Sequence, residues 1–417
     1  MTPTSHHRFS ARILDWGSLA EIARELEATD SAPEGVGIMA RKGRVYPVRL
    51  DGVPLKAAPL LKQELLAVGG DAAHARGIAD HSASSTREIL LATWGQYQHL
   101  LPKLRRQPFG LAELADEVER ALRAYVRRAP RTVRGAHRSV TLGERPRVMG
   151  VLNVTPDSFS DGGEWFEAGR AVARGHEMVA EGADIVDVGG ESTRPGATPV
   201  SLEDELHRVL PVVEALAEVV RVSVDTTKPE VAEAAVRAGA TLVNDVSASL
   251  FEVAAEHGVG WVAMHHKGLP ADMQRAPAYD DVVTEVTAYL AERADAARAA
   301  GVSEVWVDPG IGFGKTGAHN LELLAALPGL VALGLPVLVG TSRKSFLGTL
   351  CGPPGHPAPV RERLAGSLAT ATWAMACGAS MVRVHDVTAS VHAATLVGPG
   401  RTEVVTPPAG APPAGAA

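Results

Sequence analysis

The chain has 417 residues, more than one ordinary domain needs and enough for a substantial buried core. Apolar residues make up 46% and charged residues 21%, the balance of a soluble globular protein, and a formal charge of −7 gives no electrostatic reason to expect nucleic acid as a partner. No apolar run approaches the ~18 residues of a membrane span and Met1–Arg8 lacks a secretory apolar core, so no membrane partner is expected; two cysteines, Cys351 and Cys377, cannot frame a disulfide network and fit a reducing cytoplasm.

In chain order, Ser18–Ala28 carries apolar residues at helical spacing and reads as a helix. Val36–Arg41 and Val45–Leu50, separated by a Lys-Gly turn, read as a short hairpin. Gly69 and Gly70 most simply end a helix, and Leu111–Val126 is a second amphipathic helix. Residues 1–142 are therefore expected to form a small α/β domain. The polar, basic stretch Arg131–Arg147, with Gly135, Gly143 and Pro146, marks the boundary.

Beyond it a unit repeats: apolar run, polar loop, amphipathic stretch. The apolar runs are Val148–Val154, Ala183–Val188, Val220–Val224, Thr241–Val246, Gly260–His265, Glu304–Asp308, Pro336–Gly340 and Met381–His385. Near-continuous apolar strands alternating with helices argue for a parallel sheet covered on its faces. Eight such repeats predict an α/β fold of the (β/α)8 TIM barrel class over 143–405, with a doubly wound open sheet as the alternative. Thr406–Ala417, rich in Pro, Ala and Gly, has too few large apolar groups to fold and is expected to be disordered.

Polar residues crowd the C-terminal end of almost every expected strand: Asn153, Glu191, Asp225, Asn244, His265, Asp308, Ser342 and His385. Barrel enzymes build their sites at that face. Residues two apart share a strand face, so Arg383 with His385, and Ser223 with Asp225, can point into the barrel mouth. The turn-rich Asn153–Gly163 follows a buried strand and reads as a mobile catalytic loop with Asn153 as its fixed end.

Met149-Gly-Val-Leu-Asn-Val-Thr-Pro-Asp-Ser-Phe-Ser-Asp-Gly-Gly163 and Gly189-Gly-Glu-Ser-Thr-Arg-Pro-Gly196 resemble the two signatures of the dihydropteroate synthase family. Ser223-Val-Asp-Thr226, Val243-Asn-Asp-Val246, Asp308-Pro-Gly-Ile-Gly-Phe-Gly-Lys315, Ser342-Arg-Lys344 and Val382-Arg-Val-His-Asp386 follow in the family's order. The resemblance implies joining 4-aminobenzoate to the methylene carbon of dihydropterin pyrophosphate, with loss of pyrophosphate and with Mg²⁺ as cofactor. It implies Asn153 as the metal-linked residue, and Arg383 and His385 as holders of the pyrophosphate. Asp225, Asn244, Met264, Asp308 and Lys344 match the pterin-binding positions. A carboxylate pair and an amide suit adjacent ring N–H groups. Thr193, Arg194, Pro195, Phe313 and Ser345 would surround 4-aminobenzoate, Ser345 receiving its carboxylate.

The N-terminal region resembles the extension of long-form members, through Lys62-Gln-Glu-Leu-Leu66 and Gly69-Gly-Asp-Ala-Ala-His-Ala-Arg-Gly77. The family also implies a homodimer through barrel helices and competitive inhibition by sulfonamides. Thr227 and His266-Lys267 depart from the family pattern, the second beside the expected pterin slot.

Other readings are set aside on context. Gly312-Phe-Gly-Lys-Thr-Gly317 fits a dinucleotide fingerprint but follows the sixth strand, not the first of a βαβ unit. His265 and His266 are strand neighbours that point to opposite faces, so they do not form a shared metal site. An ion pair with Asp386 or a neighbouring carboxylate is the structural alternative for Arg383. A pterin-binding methyltransferase barrel and a non-catalytic pterin-binding protein are the alternative functions, and Ser342-Arg-Lys344 with Arg383-Val-His385 argues against the first.

Overall fold

The computed structural model describes residues 19–75, 85–126, 131–134, 139–142, 145–154, 164–191, 199–268, 273 and 276–398. The chain divides into two compact units, Met1–Arg127 and Arg128–Ala417.

The first unit runs α1 (Leu19–Glu27), α2 (Pro33–Ala40), β1 (Val45–Pro54), α3 (Ala57–Ala67), β2 (Asp71–His74), β3 (Ser85–Thr93), α4 (Trp94–Leu104) and α5 (Leu111–Val126). Its sheet is antiparallel with β3 in the middle, flanked by β1 and β2. Thr86, Glu88, Leu90 and Ala92 face the core while Arg87, Ile89 and Leu91 face out, the period-two signature of a one-sided sheet. Leu61, Leu65, Leu90, Tyr97, Leu100, Leu104 and Leu111 fill that core.

The expected hairpin of Val36–Arg41 with Val45–Leu50 is not formed. Pro33 opens a helix at its first turn, and Val36 and Ala40, four apart, are its buried positions. A short apolar run cannot reveal its own period, and β1 finds its partner in β3, forty residues on in sequence. The helix-ending role of Gly69 and Gly70 is as read. Gly69 has φ +83°, and the Gly70 N–H bonds to the Leu65 carbonyl.

The second unit begins with the antiparallel pair β4 (Arg131–Arg134) and β5 (Ser139–Leu142). The repeats follow: β6 (Arg147–Asn153), α6 (Glu164–Ala180), β7 (Ile185–Gly189), α7 (Leu202–Ala217), β8 (Arg221–Asp225), α8 (Pro229–Arg237), β9 (Leu242–Asp245), α9 (Phe251–His257), β10 (Gly260–Met264) and α10 (Val282–Ala299). After them come β11 (Val305–Asp308), α11 (Gly317–Ala325), α12 (Leu327–Val331), β12 (Leu338–Val339), α13 (Ser345–Cys351), α14 (Leu364–Ala376), β13 (Met381–Val384) and α15 (Val387–Val397). The eight parallel strands β6–β13 pair in the order β11-β10-β9-β8-β7-β6-β13-β12. A parallel bridge between Val307 and Val337 joins the two end strands and closes the barrel. All eight expected strands are present, each close to its expected limits.

Strand parity divides the buried residues into two sets. Val148, Val186, Val188, Val222, Val224 and Val243 belong to the large outer core that also includes helix residues. Met149, Ile185, Leu242, Val262, Trp306, Leu338 and Met381 form a separate inner layer inside the barrel. Below it, the buried Arg221 and Glu304 pair at 2.7 Å, and the Trp306 indole donates to Glu304 at 2.7 Å. This polar stopper and the apolar layer close the floor.

Candidate active site

Two residues beyond each member of the inner layer, strand parity returns the side chain to the barrel interior. Above Ile185, Leu242, Val262, Trp306 and Met381 these positions hold Asp187, Asn244, Met264, Asp308 and Arg383; β8 adds Asp225. An apolar floor thus carries a polar layer, at the C-terminal ends of the strands.

Arg383 is the centre of that layer. Its Nε donates to Asp187 Oδ2 at 2.6 Å and its Nη2 to Asp225 Oδ2 at 2.7 Å. Asn244 Nδ2 donates to the same Asp187 oxygen at 3.0 Å. Burial works against the Arg383 charge, but Asp187 and Asp225 together outweigh it and hold the guanidinium above its ordinary range. The ion pair expected as the alternative for Arg383 is thus present, with neighbouring carboxylates and not with Asp386, which pairs with Arg343 at 2.5 Å.

Burial pushes the Asp225 carboxyl up to about 7, with Arg383 opposing and the Asp187 charge adding to the rise. Burial also raises Asp308, against the pull of Lys344, and lowers Lys344 to about 8, against the pull of Asp308. Three carboxyl groups, Asp187, Asp225 and Asp308, thus face two cations, Arg383 and Lys344. The surplus of acceptors suits a ligand edge rich in N–H donors. Asp225 Oδ1, Asp187 Oδ1 and Ser223 Oγ are buried with no hydrogen-bond partner among the described residues.

Lys344 caps α13 and donates to the Ile311 carbonyl, with its Nζ 4.5 Å from the Phe313 ring centroid. Ser345 is the first residue of that helix and is exposed. His385 Nδ1 lies 3.0 Å from Ser342 Oγ, which also accepts from the His385 backbone N–H at 3.2 Å. Met264 is buried and lies beside Asp308 in register. Asn153 ends β6, half-buried, next to Gly189. Thr193, Arg194 and Pro195, and the loop Thr155–Gly163, lie outside the described residues.

The loop after β11 is built around Lys315. Its buried ammonium reaches His265 Nδ1 at 2.9 Å and the carbonyls of Gly310 and Phe313, each at 3.0 Å. Burial lowers Lys315 to about 7 and His265 to about 3, so the imidazole is neutral and accepts. Gly310 and Gly314 have φ +64° and +63°, and a Cβ on Gly310 would sit 1.8 Å from the His265 carbonyl oxygen. Gly312 and Gly314, two of the three glycines that mimic a dinucleotide fingerprint, have positive φ and serve this tight turn. His265 is thereby held to Lys315, and Lys267 bonds the Ala278 carbonyl at 2.6 Å and covers the Tyr279 ring.

At the mouth, Lys228 bridges Glu191 and the fully buried Glu205, and Thr226 Oγ1 donates to Glu205 at 2.7 Å. Among the described residues no group of three or more His, Cys, Asp or Glu side chains could hold a metal ion. The Asn153 amide oxygen suits a hard cation that keeps most of its ligands as water and substrate oxygens.

Residues 149–385 match the model of a family described as pterin binding enzyme. A dihydropteroate synthase of Mycobacterium leprae is 50% identical over 262 residues, covering 60% of this chain and 92% of the relative. The chain belongs to the dihydropteroate synthase family of pterin-binding enzymes. A Halobacterium salinarum protein named as a probable bifunctional folylpolyglutamate synthase/dihydropteroate synthase is 42% identical over 398 residues. That match takes in 93% of this chain, extending the likeness into the first unit, but the chain spans only 47% of that relative's length. The dihydropteroate synthase of Xanthomonas albilineans, solved with 4-aminobenzoic acid, superposes with a TM-score of 0.60 at 49% identity, over 64% of this chain and 97% of that one.

Reading strand ends alone misses Asp187, the fully buried acid in the middle of β7. Its signal was present: an aspartate between Val186 and Val188 in a run buried on both faces must have a partner. Lys315, Glu205 and Lys228 gave no comparable signal, because each has a side-chain partner from another repeat.

Proposed function

We propose that the barrel condenses 6-hydroxymethyl-7,8-dihydropterin pyrophosphate with 4-aminobenzoate to give 7,8-dihydropteroate and pyrophosphate. The observation that carries this reading is the acceptor-rich slot of Asp225, Asn244 and Asp308 with Lys344 and Arg383 beside it, in a chain of this family. Asp225, Asn244 and Asp308 take the N–H edge of the pterin, Met264 packs on its ring, and Lys344 binds at the slot's rim. Arg383 and His385 face the pyrophosphate. When bound at Asn153, Mg²⁺ supplies charge neutralisation for the leaving polyanion.

Departure of pyrophosphate leaves positive charge on the pterin methylene, and the Asp225 carboxylate would stabilise that charge. The aromatic amine then attacks in its neutral form, so no strong general base is required. Thr193, Arg194, Pro195, Phe313 and Ser345 surround the 4-aminobenzoate. Its relative's complex with 4-aminobenzoic acid supports this second substrate.

The purified chain, mixed with both substrates and Mg²⁺, should release dihydropteroate and pyrophosphate in equal amounts. Absence of both products refutes the assignment. His385→Ala should weaken binding of the pyrophosphate substrate by about tenfold while changing bare pterin binding little. Equal losses by calorimetry remove His385 from the pyrophosphate site.

The reading includes a homodimer acting in the cytoplasm. Leu321 of α11, Leu350 of α13 and Leu364 and Trp373 of α14 are exposed apolar side chains on helices in contact with one another, and a second copy of the chain would cover part of that surface. None of the described helices is long and apolar enough to cross a membrane.

A further inference from the structure

We propose that Asp187 is a positioning residue for pterin recognition: it fixes the Asn244 amide with its oxygen free for the ligand, and so makes the slot select a ring edge that carries an amino group. The inference deepens the function proposed above and rests on it.

Asp187 is fully buried. Its Oδ2 lies 2.6 Å from Arg383 Nε and 3.0 Å from Asn244 Nδ2. A guanidinium N–H only donates, so the shared oxygen is an ion-paired acceptor. Were the amide reversed, its oxygen would face that oxygen with no proton between them. The pairing therefore decides an orientation that the amide's near-symmetric shape leaves open. Nitrogen is committed to Asp187, and Asn244 Oδ1 is turned from it.

Asp225 is handled in the same way from the other side. Arg383 Nη2 takes its Oδ2 at 2.7 Å, leaving Oδ1 buried with no partner among the described residues. Asp225 and Asn244 are directly opposite each other on neighbouring strands. Together they present acceptors, the complement of adjacent ring N–H donors. A ring with a carbonyl in place of the amino group sets oxygen against oxygen, and unpaired buried polar groups are what make such sites selective. If Asp187 only neutralised Arg383, its loss would weaken any bicyclic ligand alike.

The test is calorimetric binding of 6-hydroxymethylpterin and of 6-hydroxymethyllumazine, its analogue with the 2-amino group replaced by oxygen, to the full chain. Wild type should prefer the pterin by at least about tenfold. Asp187→Ala removes the oxygen that Arg383 and Asn244 share, so the Asn244 amide is released to turn. The preference should then fall by about tenfold, with the pterin weakened and the lumazine unchanged or improved. An unchanged preference, or an equal loss for both ligands, overturns the proposal. If Asp187→Ala does not give a folded protein by circular dichroism, Asn244→Leu keeps the side-chain shape without the amide. That variant should lose the preference too, and retention of it also overturns the proposal. Turnover by wild type, measured alongside, separates the two readings: an active enzyme whose preference ignores Asp187 sinks this inference alone.

Discussion

Asp225 carries its information in its environment. Its folded pKa of about 7 lies above the 3.8 of an unburied aspartate, so the folded state holds the proton more tightly than the unfolded state does. Its contribution to stability is complete below about pH 4 and is lost as pH rises through about 7. A ligand offering N–H donors needs the opposite form, the carboxylate. Pterin affinity measured by calorimetry should therefore rise from pH 5 to pH 8 by up to about a hundredfold and then level off, and a flat profile contradicts the shifted Asp225. Gly310 makes a second prediction at this scale. A side chain there meets the His265 carbonyl at 1.8 Å in a left-handed backbone, so Gly310→Ala should destabilise the fold by about 3 kcal/mol in chemical denaturation. The sequence marks Asp225 and Asp308 as site residues, because polar groups ending apolar runs are legible locally. It does not reveal that Arg383 lies between Asp187 and Asp225, since those partners are 196 and 158 residues away.

At the scale of elements, the barrel strands were readable because each is buried on both faces and so is almost wholly apolar. The expected hairpin of the first unit failed for the converse reason: Pro33–Ala40 is an eight-residue helix too short to display a period, and the true partner of β1 is remote. The strand β11 and the residues beside it carry a testable energetic load. Arg221 and Glu304 are buried against each other at the barrel floor, with the Trp306 indole on the second Glu304 oxygen. Glu304→Ala strips Arg221 of its counter-charge and should cost about 3–5 kcal/mol by urea titration. Replacing both Arg221 and Glu304 with leucine should recover most of that loss, since the expense lies in a lone buried charge rather than in the missing pair. A double variant as unstable as the single one would show that the pair itself is required.

For the whole molecule, the two units have separate hydrophobic cores, one in the first unit and one around the barrel. Relatives named dihydropteroate synthase match only 60% of this chain, over 90% and 92% of their own length. A fragment spanning Arg128–Ala417 should therefore fold with a single thermal transition and turn over within about threefold of the full chain. A soluble fragment with less than a tenth of the activity would give the first unit a part in catalysis. Leu350→Arg with Leu364→Arg should convert the proposed dimer to monomer in light scattering without loss of the folded barrel. A variant that scatters as the wild type does leaves that face without a role in assembly.

The sequence by itself determined the repeat, the class of fold and the residues at the strand ends, because burial and strand parity act within a few neighbours along the chain. Its motifs also determined the family. Only the tertiary structure decided how those residues share their hydrogen bonds. It placed Arg383 between two carboxylates and gave Asn244 its direction through Asp187. It also wound the loop after β11 around Lys315. The physical reason is the barrel's closure. It brings residues from opposite ends of the second unit within 3 Å of one another in a dry interior, where every charge and amide must find a partner that local sequence does not name.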